Sequence, residues 1–211
     1  MIRKRSLVRR TAAVVAAGAA ALVLAACGGD GDSSAGHDGH NATASSSASA
    51  SASASQGQHN AADVAFAKGM IPHHRQAVEM ADLAPSRSQS AEVKKLAADI
   101  KKAQDPEIKT LSGWLTSWGE EVPAEGAMDH SMHDMGGMMT AEEMTELENA
   151  SGKAFDTAFM EMMIKHHEGA VEMAETEQAD GAHGPAKKMA GEIIASQSAE
   201  IEQMKTLLGK D

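Results

Sequence analysis

Two pairs of adjacent histidines stand in closely matched surroundings, Met70-Ile71-Pro72-His73-His74 and Met163-Ile164-Lys165-His166-His167. Imidazole and thioether are neutral, polarisable donors, and together they suit soft ions such as Cu(I) and Ag(I). Di-iron helical bundles place Glu-x-x-His on two helices, so that carboxylate and imidazole share one face. Here Met70 and Met163 occupy the carboxylate's slot before His73 and His166, which moves the expected chemistry from oxygen activation to soft-metal binding. Met80 and Met173 lie two turns after those histidines on the same face. For the four methionines the alternative is packing, because Met fills irregular core gaps. For the histidines it is a Glu or a backbone carbonyl on a neighbouring helix.

A second group of donors lies between the two motifs. Met128-Asp129-His130-Ser131-Met132-His133-Asp134-Met135-Gly136-Gly137-Met138-Met139 puts five Met and two His into a polar, Gly-containing stretch without helical core spacing. Exposed Met is readily oxidised, so its concentration here points to a use. Met128, His130, Met132, His133 and Met135 read as a capture arm, thioethers for Cu(I) or Ag(I) and imidazoles for Cu(II). The alternative is a loop whose Met residues clamp the bundle end near Trp114 and Trp118.

These donors are positioned by a duplication. Asp63 to Ala81 returns as Asp156 to Ala174, an offset of 93, and the match continues ungapped through Gln104, Glu107-Ile108 and Leu115, which return as Gln197, Glu200-Ile201 and Leu208. Phe66, Met70, His73, Ala77 and Met80 follow spacings of four and three, so both histidines of a pair face the core or its edge. A second helix is expected over about Ala91 to Trp118, with Pro106 kinking or splitting it and Asp105 as a candidate cap. Thr140-Ala141-Glu142-Glu143 has the form of a capping box, so a third helix is expected from there past Met173, with Gly152 as a point of interruption. Pro185 opens a fourth. The fold class is therefore all-α, a four-helix bundle of two duplicated hairpins. Repeat 1 spans about 63–115, the connection about 119–139 and repeat 2 about 156–208.

The remainder of the chain reads as an export and anchoring device. In residues 1–26, five basic residues precede an apolar run from Thr11 to Ala26, too short and Ala-rich for a good membrane span. Leu24-Ala25-Ala26-Cys27 resembles a bacterial lipobox, which makes Cys27 the lipidation site and the membrane a partner through that lipid. Residues 27–60 are a Ser/Ala/Gly-rich tether carrying His37, His40 and His59 as polar filler or weak auxiliary contacts. The folded part is expected over 61–211. A single cysteine allows no internal disulfide, so outside the cytoplasm the fold stands on its apolar core. Removing the leader takes the formal charge from −11 to −16, which argues against nucleic acid and is compatible with attracting cations.

Phe66 with Met70-Ile71-Pro72-His73-His74, Ala77 and Met80-Ala81 resembles the signature of the bacterial DUF305 family, and copy two matches it from Phe159 to Ala174. The resemblance implies a ferritin-like four-helix bundle, usually exported, with copper binding and copper tolerance among relatives. The chain departs from the motif at Lys165, in place of Pro, and at Arg75-Gln76, where relatives commonly carry Gln-Gly.

The expected function is copper sequestration or buffering on the outer face of the cell membrane, with silver as a mimic and no organic cofactor. Nothing resembles a nucleophile with its base or a phosphate loop, so no enzymatic activity is expected. The alternatives are an envelope scaffold with structural histidines, or a ferritin-like redox enzyme. The second is poorly served, since Glu79 and Glu172 lie about 120° around the helix from His73 and His166.

Overall fold

The computed structural model describes residues 58–125 and 136–209, and all regular structure among them is helical. Helix α1 spans Ala61–Arg87, α2 Ala91–Trp118, α3 Ala141–Asn149, α4 Gly152–Asp180 and α5 Gly184–Leu208. Asn60 caps α1 in a capping box with Asp63, and Ser90 caps α2 through the Val93 amide. The predicted box at Thr140 and Glu143 opens α3. Among the described residues no helix is long and apolar enough to cross a membrane.

Two expectations change. Pro106 does not split α2 and Asp105 does not cap: the helix runs unbroken through both, because the amide Pro106 lacks would have served Lys102, and Pro106 and Lys102 are exposed to water. The third helix, expected to run from Thr140 past Met173 with Gly152 as a point of interruption, is two helices divided at that glycine. Ala150 and Ser151 are extended and Gly152 has φ +60°, a left-handed conformation that favours glycine. The interruption lets the short α3 bury Met144 and Leu147 in the core.

The principal contacts are within each hairpin, α1 with α2 and α4 with α5, and across the seam between α1 and α4. Apolar side chains form two clusters. One joins Met80, Leu96, Ile100, Phe159, Met163 and Met204. The other joins Phe66, Met70, Leu111, Ala170, Ala190 and Ile193. The N-terminal half of α1 thus packs with the C-terminal half of α4, so the two motif helices run antiparallel. The mid-height of the bundle belongs to neither cluster and carries the histidines.

The halves are interlocked by reciprocal capping. Asp156 of α4 accepts from the Ser88 hydroxyl at 2.5 Å and the Ser90 amide at 3.1 Å, fixing the start of α2. Its counterpart Asp63 of α1 accepts from the amides of Ala182 and His183, fixing the start of α5. Each copy's first helix therefore terminates the other copy's second, a placement that also sets a carboxylate at a helix N-terminus. Burial opposes ionisation of Asp63, yet hydrogen bonds from the Asn60 and His183 amides, from Glu177 and from Ala182 hold it below the usual carboxylate range.

The two joints differ in one donor. The counterpart of Ser88 is Gly181, which has no hydroxyl, and Glu177 from the preceding turn takes its place. A Cβ on Gly181 would come within 2.2 Å of the Glu177 carboxyl. Glu177 is buried, and as a carboxylate its oxygens have no donor. Burial, then the hydrogen bond to Asp63 and that residue's charge, push it up to about 8 against the opposing effect of Lys187. Glu177 thus keeps its proton near neutrality and donates it to Asp63, as Ser88 donates to Asp156.

Two outcomes are expected. Asp63→Ala and Asp156→Ala, at opposite ends of the bundle, should each cost about 1–3 kcal/mol in urea denaturation and add in the double variant. Folded Glu177 retains a proton that the unfolded chain has lost between 4.5 and about 8. Its contribution to thermal stability should therefore decline as pH rises through that window and level off above it, and the melting curves of Glu177→Gln should lack this slope.

Candidate metal centre

The second histidine of each pair is anchored within its own hairpin. His74 Nε2 lies 2.7 Å from Glu107 Oε2 on α2, and His167 Nε2 lies 2.7 Å from Glu200 Oε2 on α5. Both spacings are 33 residues, so the duplication preserved the bond with the histidine. A neutral imidazole donating from Nε2 leaves Nδ1 as a bare lone pair, and Nδ1 of both residues is buried without a partner. The glutamate alternative therefore holds for His74 and His167, but only at one nitrogen of each.

The first histidines meet across the seam. The rings of His73 and His166 are 3.7 Å apart between centroids and inclined by 43°, and both residues are fully buried. Among the described residues none of their four nitrogens makes a well-formed hydrogen bond, although the Gly136 backbone faces His73 and the His73 backbone faces His166. Burial, then the neighbouring imidazoles of His74 and His167, push His73 down to about 3, against a slight opposing effect of the Gly136 backbone. Burial, then His73, His167 and His74, hold His166 well below the usual imidazole range. Both rings are neutral, which removes the cost of a buried charge and leaves that of unmade hydrogen bonds. Gln104 and Gln197, one turn before the two glutamates, add buried carbonyl oxygens that also lack donors.

The sulfur donors are placed differently from the histidines. Met70 is fully buried in one apolar cluster, whereas Met163 and Met80 are fully buried in the other, and Met173 packs half-buried against the first. The structure thus unites His73 with His166 and sets Met70 and Met163 on opposite sides of that pair. Among the described residues no three His, Cys, Asp or Glu side chains converge to hold an ion. The donor types at the centre, a pair of neutral imidazoles, suit a soft monovalent ion content with two donors rather than a hard ion requiring many oxygens. Because the rings are in contact at 3.7 Å, such an ion would be held only once they move apart. Met128, His130, Met132, His133, Met135 and Cys27 lie outside the described residues.

The departures from the family motif hold the connection. Arg75 donates from Nη1 to the carbonyls of Pro123 and Ala124, at 2.7 and 3.1 Å. Buried Gln76 brackets Met139, donating to its carbonyl at 2.9 Å and accepting from its amide at 2.7 Å. The counterpart of Gln76 is Gly169, where a Cβ would lie 1.8 Å from the Gly136 carbonyl oxygen. A Cβ on Gly137, at φ +88°, would lie 2.6 Å from the Lys165 carbonyl oxygen. Lys165 itself reaches Glu143 of α3 at 3.1 Å rather than the histidines. Sequence reading passed over Glu107, Glu200, Gln104 and Gln197 as functional residues although the 93-residue offset marked all four. The seat of the strap could not be seen, because it rests on contacts between distant segments.

One further buried histidine stands at the end of the bundle. His183 edges against Trp114 and Trp118, with centroids 5.3 and 5.2 Å away, and both its nitrogens lack partners. His59, expected on the tether, stacks on Trp118 at 4.5 Å.

Comparison with solved structures finds the same bundle. A DUF305 protein from Streptomyces coelicolor is 34% identical, with a TM-score of 0.64 over 71% of this chain and 91% of that one. A DUF305 fragment from Deinococcus radiodurans is 30% identical, with a TM-score of 0.64 over 72% and 98%. CopM in its Cu(I)-bound form is 35% identical, with a TM-score of 0.58 over 69% and 94%, and Cu(II)-bound and Ag-bound forms of CopM match similarly. No curated protein matches the chain. The Domain of unknown function (DUF305) family matches residues 63–208, and the chain belongs to that family.

Proposed function

We propose that this protein is an extracytoplasmic, lipid-anchored carrier that sequesters or buffers copper, taking silver as a mimic, with His73 and His166 as its central ligands. The observation that carries this reading is the buried, neutral and unpartnered imidazole pair. A bundle that placed these rings for packing alone would leave a buried lone pair unused on each, and a monovalent ion would take up one nitrogen of each ring. His74 and His167, oriented by Glu107 and Glu200, offer further Nδ1 donors, and Met70 and Met163 flank the pair with thioethers. The segment 128–139 acts as the capture arm, and Cys27 carries the lipid.

The binding of Cu(I), Cu(II) and Ag by CopM supports the choice of ion. The name of the Streptomyces coelicolor relative as a secreted protein supports a place outside the cytoplasm. Capture rather than catalysis is the role favoured, since each glutamate at the histidine layer already bonds one imidazole and, among the described residues, no paired carboxylates stand there for oxygen chemistry.

Titration with Cu(I) and with Ag(I) against a competing chelator is expected to show tight binding by the wild-type chain. His73→Ala/His166→Ala should weaken the central site by about 100-fold or more, about 2.7 kcal/mol. Undiminished binding in that variant would transfer the function to the Met/His arm. Because His73 stays unprotonated down to about 3, metal need not displace a proton from it in mildly acidic solution. The Ag(I) affinity should change little between about pH 5 and about pH 7, where ordinary imidazoles would lose it steeply.

A further inference from the structure

The connection between the copies occurs once in the sequence. Its returning end, Gly136 to Met139, passes Glu172, Gly169 and Lys165 on α4 and reaches Gln76 on α1. It therefore bridges the groove between the two motif helices at the height of His73 and His166, and the Gly136 backbone faces the His73 ring. Away from the strap, each hairpin closes on its own histidine through the Glu107 and Glu200 bonds.

The way this strap is held differs along its length. Gly136 and Gly137 have no side chains to anchor and fit only because residue 169 is also glycine. Met139 is pinned at both backbone groups by one buried side-chain amide, that of Gln76. Positions 76 and 169 are equivalent in the duplication, yet one carries the hydrogen-bonding side chain and the other carries none. That pairing seats a backbone segment over a buried site, held at its backbone by the Gln76 amide and at its end by the Met139 side chain buried in the core.

We propose that the Gly136–Met139 strap is the cover of the His73–His166 pair and that Gln76 is its latch, so that an ion enters and leaves by release of the strap. This rests on the reading of the pair as a Cu(I) or Ag(I) site. The imidazoles set the affinity, and Gln76 sets the rates in both directions.

The test uses Gln76→Leu, which keeps the volume and removes both bonds to Met139. Hydrogen exchange of the Met139 amide in metal-free protein should be slow in the wild type and faster in the variant. Stopped-flow uptake of Cu(I) from its bicinchoninate complex, and loss back to excess bicinchoninate, should each accelerate about tenfold, about 1.4 kcal/mol of barrier. The equilibrium affinity should stay within about a factor of two. Gly169→Ala, whose methyl group displaces Gly136, should act in the same direction and serves if Gln76→Leu does not fold. Faster Met139 exchange with unchanged Cu(I) rates would overturn the proposal while leaving the metal site intact, and so would a fall in affinity carried by faster loss alone, with uptake unchanged. Absence of Cu(I) binding by the wild type would instead remove the reading of the site, and the proposal with it.

Discussion

A layer of imidazoles buried at mid-height is the constraint on which the remainder of this bundle depends. Neutral rings without partners are costly in an apolar interior, so the layer persists only because both apolar clusters hold the helices together on either side of it. It also explains the long helices. Each must extend far enough in both directions to contribute to a cluster above and a cluster below. The polar side chains that accompany the histidines, Gln104, Gln197, Glu107 and Glu200, fall on α2 and α5 at the same height.

The ends of the bundle compensate for its divided centre. Asp63 and Asp156 tie each hairpin to the other through helix starts, so neither copy's second helix is fully terminated without the opposite copy. The two joints reach the same hydrogen-bond arrangement by different routes, a serine hydroxyl in one and a retained carboxylic proton in the other. Sequence similarity is therefore a poor guide to equivalence here. What is preserved is an O–H directed at an aspartate.

Local signals carried much of this architecture. The caps at Thr140, the span of α2 and the inward face of both histidine pairs follow from spacing and residue type within single helices. The break between α3 and α4 was legible at Gly152 as a point of interruption but not as two separate helices, because a glycine in a helical pattern ends a helix only when tertiary packing of the preceding turn, here Met144 and Leu147, rewards the change of direction. The site shows the same division. Met-x-x-His describes neighbours on one helix, but the contact that makes the centre joins His73 to His166 on two antiparallel helices, and no spacing along the chain encodes that register. Glu107 and Glu200 lay within reach of inference, since both return at the same distance from a histidine.

The meeting of His73 with its own repeat image places the centre on the axis that relates the two copies. A chain of half the length could build such a layer only as a homodimer, with one imidazole from each subunit, and its symmetry would force the residues at positions 76 and 169 to be identical. Two glutamines would leave no room for a crossing backbone, and two glycines would leave nothing to hold it. Joining the copies in one polypeptide is what allows the axis to have a front and a back, so the covered face of this protein is a property of fusion that no symmetric assembly of its halves possesses.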